Sequence, residues 1–135
     1  MNYFKSKTLK MLLVFGVLSI ILSGCMNNEY KEFRGNFDNT YFEIAKSVNI
    51  ADTLETLKNI QSEENKNKIE ELRVLLENIR NNVSEDKKDE YQRYNNWYKG
   101  LVLLRDIPYS EWDRLSFEQK RNVWTEIGLI DIRRD

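Results

Sequence analysis

Few side chains in this sequence could do chemistry on their own. Histidine is absent and there is one cysteine, Cys25. Without imidazole there is no His ligand, no Ser-His pair and no Cys-His pair. Hydrolysis would fall to paired carboxylates, one serving as acid and the other as base or nucleophile. Two pairs have suitable spacing, Glu111 with Asp113 and Glu118 with Glu126. Both lie among lysines and arginines at ordinary helical intervals. That is the pattern of a solvated charged face, which mimics functional carboxylates. No Cys/His cluster and no Asp-x-Asp-x-Asp-Gly loop is present, and Asp86, Asp89 and Glu90 read as a helix start. No metal or other cofactor is therefore expected.

The thiol of Cys25 has a distinctive setting. Lys5, Lys7 and Lys10 open the chain with positive charge, and no acidic residue precedes Glu29. Met11 to Leu22 is then an almost wholly apolar run of 12 residues. That is short for a membrane-spanning helix, which needs about 20 residues. It has the length and basic flank of the hydrophobic region of an export signal. Leu22-Ser23-Gly24-Cys25 resembles a bacterial lipobox, the signal of lipoprotein precursors. The resemblance covers residues 1–25 only. It implies that the peptide bond between Gly24 and Cys25 is cut and that the Cys25 thiol carries a diacylglyceryl group. In many such proteins the new amino terminus is acylated as well, commonly with palmitate. A thiolate suits the first step because it is a far better nucleophile than a serine hydroxyl. Two acyl chains anchor a protein stably where one does not. The implied location is the exported side of a cell membrane, with residues 1–24 removed and residues 25–29 forming a lipidated tether. The lipid consumes the lone cysteine, which leaves none for a disulfide.

Residues 30–135 are expected to form one domain. Loss of the three early lysines leaves 18 basic against 22 acidic residues, a net charge of −4. Nucleic acid is not an expected partner, because no basic stripe is present. The mature part holds one proline, Pro108, and three glycines, Gly35, Gly100 and Gly128. So little turn punctuation argues against sandwiches and barrels. The expected fold is an all-α bundle of three to five helices.

Helical stripes support that expectation. Tyr30, Phe33, Phe37, Tyr41, Ile44 and Val48 step by three or four. Gly35 and Asn36 predict an early break, with Asp38 or Asn39 capping the main part of the helix. Leu54, Leu57 and Ile60 step by three, so the apolar face drifts. A new helix start is expected near Ile50 to Asp52, with Asp52 and Glu55 as an acidic capping box. Gln61 to Lys68 is polar throughout, a loop or an exposed turn. Ile69, Leu72, Leu76, Ile79 and Val83 form the cleanest stripe, with Leu75 widening it. Ser84 predicts the cap of the next helix. Its face carries Tyr91, Tyr94, Tyr98, Leu101, Val102 and the stem of Arg105, widened by Trp97 and Leu104. Ile107-Pro108 ends it. Ser116 with Gln119 matches a capping box. The last helix is expected over 117–127, with Phe117, Val123, Trp124 and Ile127 inward, Gly128 as a left-handed cap and 131–135 fraying.

The aromatics are the strongest non-catalytic feature. The spacing of Tyr91, Tyr94 and Tyr98 assigns them to the core. Trp97 and Trp112 are the candidates for exposed partner contacts. The function expected is that of a membrane-anchored, non-catalytic lipoprotein. It would bind another envelope protein or protect the cell surface, as in immunity to a toxin or exclusion of phage or conjugative DNA. The alternative is a cell-wall glycan binder or a carboxylate-based glycan hydrolase, with Trp97 and Trp112 supplying the stacking.

Overall fold

The computed structural model describes Gly24, Cys25 and residues 27–135. The expected signal segment otherwise lies outside the described residues. The domain is all-α, with five helices and no strand among the described residues. They are α1 (27–45), α2 (Thr53–Ile60), α3 (Glu63–Ile79), α4 (Lys88–Asp106) and α5 (Phe117–Arg134). Short 3-10 turns link α3 to α4 and α4 to α5.

α1 and the turn after it bury the whole expected stripe, from Tyr30 to Val48. The break at Gly35 and Asn36 does not occur, and neither Asp38 nor Asn39 caps a new helix. Gly35 is exposed, and glycine inside a helix costs only about 1 kcal/mol against alanine. Burying aromatic rings on both sides of it outweighs that cost. Cys25 and residues 27–29, expected in the tether, are helical and exposed.

α2 starts where the drift of the stripe predicts. The Asp52 carboxylate accepts from the Glu55 amide at 2.9 Å, capping the helix. Glu55 itself reaches the Asn49 side chain, so only half of the box forms. The polar stretch after α2 is structural. Ser62 caps α3, and buried Asn65 donates to the Asn59 carbonyl at 2.8 Å and to the Ser47 hydroxyl at 3.2 Å. Gln61 donates to the carbonyls of Leu104, at 3.0 Å, and Ile107, closing the end of α4. Ile69, Leu72, Leu76 and Ile79 are buried as expected.

Two helix boundaries and two faces differ from expectation. Ser84 precedes a 3-10 turn, and its hydroxyl donates to Asp86 instead of capping α4. On α4 the deepest residues are Tyr94, Leu101 and Leu104, with Trp97 between them. Tyr91, Tyr98 and Val102 flank that line, half-buried. α5 runs on through Gly128, which does not take a left-handed conformation. Its inner stripe is Val123, Ile127 and Ile130, while Phe117 is 73% and Trp124 46% exposed. The tail does not fray. Arg133 donates to the buried Tyr41 hydroxyl at 2.9 Å, and Arg134 to the Val48 carbonyl at 3.0 Å. These bonds and the burial of Ile130 hold the extra turns in place.

α1 and α4 run parallel, since Phe33 meets Tyr91 and Tyr94 while Tyr41 meets Trp97. α3 is antiparallel to both. Asn82 donates to Glu29, Thr40 donates to Glu71, and the Leu76 carbonyl accepts from Tyr91. The start of α1, the end of α3 and the start of α4 therefore share the end of the bundle that carries Cys25. α2, the end of α4 and the start of α5 lie at the other end. A helix of 19 residues separates the two by about 28 Å, at about 1.5 Å per residue.

Candidate functional site

Cys25 is exposed at the N-terminal edge of α1. Gly24 is equally exposed, with nothing near its Cα that a side chain would strike. Among the described residues no helix is long and apolar enough to cross a membrane.

The two tryptophans singled out from the sequence have different settings. Trp97 is half-buried within the aromatic interior, its ring 5.0 Å from Tyr41 and 5.5 Å from Tyr94. The Arg133 guanidinium lies 5.0 Å from its centroid. Packing and a cation–π contact therefore account for Trp97, which is not the exposed contact residue expected. Trp112 is also partly buried, but it borders open surface. Its ring makes an edge contact with Trp124 at 5.9 Å, and Trp124 meets Phe117 at 6.5 Å. Lys120 stands 5.6 Å above Trp112.

These residues form an exposed aromatic ridge at the end remote from Cys25. The fold explains its position. Pro108 ends α4 and starts a 3-10 turn that carries Tyr109 and Trp112. The Ser116–Gln119 capping box then starts α5 at once, with both reciprocal hydrogen bonds formed. Phe117 and Trp124 are seven residues apart, about two turns along one face. At about 100° per residue, that face lies roughly 100° around the helix from the inner stripe, so the apolar surface of α5 extends beyond its buried side. Tyr109, Leu54 and Ile50 add further exposed apolar surface at this end.

The carboxylate pairs do not converge. Glu111 and Asp113 are exposed on the 3-10 turn. Glu118 is exposed in the first turn of α5, and Glu126 lies about 12 Å further along that axis. Glu126 has its own peculiarity. Its Oε2 is buried without a hydrogen-bond partner. It faces Gly100 of α4, where a Cβ would come within 2.9 Å of the carboxylate carbon. Burial raises its pKa above the ordinary value, against a smaller opposing pull from Arg133. Asp38 is likewise raised by burial, although it accepts a hydrogen bond from Tyr94 and lies near Arg34. No group of acidic or cysteine side chains among the described residues is arranged to hold a metal ion.

The chain matches no protein-family model, and comparison with curated proteins and with solved structures gives no match.

Proposed function

We propose that this chain is a lipoprotein anchored through Cys25 on the exported side of a cell membrane. There it acts as a non-catalytic binder of another envelope protein, in the manner of an immunity or exclusion factor. The observation that carries the reading is the ridge of Phe117, Trp124 and Trp112. Exposed aromatics clustered in this way are characteristic of interface hot spots. Their position suits an anchored binder. The lipid holds one end of the bundle, and the ridge occupies the other, turned away from the anchoring bilayer. Tethering also raises the local concentration of the binder for partners in or beside the same membrane.

Site-specific photocrosslinking in cells tests this reading. A benzophenone amino acid placed at Phe117 or Trp124 should give a discrete protein adduct. The same probe at Val74, which is also exposed but lies on α3, should not. No adduct at the ridge, or equal adducts at all three positions, would remove the support for a protein partner.

A further inference from the structure

A second surface, independent of the ridge, has the chemistry of a ligand site. A cleft of about 380 Å³ runs between the C-terminal half of α3 and the N-terminal half of α4. Ligand clefts typically hold about 300–1,000 Å³. Its apolar floor is Leu76 with the rings of Tyr91 and Tyr98. Tyr91 is fixed there, since its hydroxyl donates to the Leu76 carbonyl at 3.2 Å. Gln92 and Asn95 supply amides along the α4 side, and Arg80 supplies a guanidinium on the other. The lining residues recur at three- and four-residue intervals on facing helices. They form two rails about 10 Å long, from the rise of an α-helix.

The charge of the cleft narrows the ligand class. Arg73 pairs with both Glu70 and Glu77, so its charge is spent within the protein. What remains for a ligand is a nearly neutral set of planar donors and acceptors above an aromatic floor. An anion would find little net attraction. Gln92 Nε2 already donates to Asn96, but a purely apolar ligand would strip water from its carbonyl and from the Asn95 amide, at a cost. A pyranose ring satisfies both requirements. Its C–H face packs on an aromatic ring while its equatorial hydroxyls pair with amide and guanidinium groups. We infer that the α3–α4 cleft is a binding site for a short neutral oligosaccharide, with Tyr91 and Tyr98 as platform and Gln92, Asn95 and Arg80 as hydroxyl-reading groups. The site differs from the one Trp97 and Trp112 would have formed. Trp97 faces the interior, and Trp112 lies at the far end.

The test is an NMR titration of the full chain in detergent micelles with tri-N-acetylchitotriose and, separately, cellotriose. Each sugar is raised to about 10 mM, tenfold above a weak Kd of about 1 mM. At least one should give saturable shifts centred on the side-chain amides of Gln92 and Asn95. Gln92→Ala and Asn95→Ala alter partly or fully exposed positions and should keep the helical circular dichroism of the parent. Each should weaken binding by about fivefold or more. Tyr98→Ala should abolish it. Absence of saturable shifts with both sugars overturns the assignment. So does saturation that maps to Trp112 and Trp124, or binding that Gln92→Ala and Asn95→Ala leave unchanged.

Discussion

The contact between Arg133 and Tyr41 can be measured as an energy. Tyr41 is fully buried, and its hydroxyl receives a charged donor from a helix that begins 76 residues later in the chain. Arg133→Met keeps the aliphatic stem and removes the guanidinium. The buried hydroxyl then loses a partner, which costs about 1–3 kcal/mol. Loss of the cation–π contact with Trp97 adds about 0.5–2 kcal/mol. The expected total is about 1.5–5 kcal/mol. Tyr41→Phe removes the hydroxyl instead, and the guanidinium can turn to water, so that variant should lose only about 1 kcal/mol. The double variant no longer buries an unpaired oxygen and should fall short of the sum by about 1 kcal/mol or more. Urea denaturation of residues 25–135 carrying Cys25→Ser, followed by circular dichroism, measures all four corners. Coupling within about 0.3 kcal/mol of zero would refute the bond, and with it the account of why α5 stays helical to its end.

Three further outcomes are expected. Leu76→Ala should cost about 2–5 kcal/mol, whereas Glu77→Ala, which loses one exposed pairing with Arg73, should cost about 0.5 kcal/mol at most; equal thermal shifts would sink the assignment of the α3 faces. Glu126 titrates above its ordinary value of 4.5, so the folded state holds its proton more tightly than the unfolded state does. Its stabilising contribution is therefore complete below pH 4.5 and declines as pH rises through the folded pKa. Stability of the parent should fall relative to Glu126→Gln over that window, and parallel pH profiles would contradict the burial of Oε2. Cys25→Ser should abolish incorporation of labelled fatty acid and leave the protein uncut or released to the medium; continued labelling at the mature mass would defeat the anchor proposal.

The sequence disclosed the interior better than the ends. Regular spacing announced the stripes of α1 and α3 because every step returned to one face. It could not centre α4, where Tyr91, Trp97, Tyr98 and Val102 are all apolar and only the neighbouring helices decide that Tyr94, Leu101 and Leu104 go deepest. α5 misled for a related reason. Phe117 and Trp124 compete with Val123, Ile127 and Ile130 for the inward direction, and size alone favours the aromatics. The face with three aliphatic residues at helical spacing won. That choice leaves Phe117 and Trp124 beside Trp112, so one member of the ridge is legible in the sequence while the spacing of the other two points to the core. Gly128 read as a stop because a local signal carries no information about Arg133 and Arg134, whose partners lie on α1 and just after it. Asn65, Thr56 and Gln61 were hidden by their polarity. Thr56 exchanges hydrogen bonds with the Asn49 backbone at 2.8 and 2.9 Å. Each of the three serves a backbone or side-chain group that would otherwise be stranded at the α2 end.

The long reach between α5 and α1 also dictates an order of events in time. The residues that close over Tyr41 and Val48 are Arg133 and Arg134, in the last turn of α5. A polypeptide made from its N-terminus delivers these arginines after α1 to α4. Until then the aromatic rings of α1 have α3 and α4 to collapse against, but the buried Tyr41 hydroxyl lacks its charged partner. The finished interior is thus withheld from any intermediate that lacks α5. A nascent chain therefore completes this interior only once the last turn of α5 is available to it.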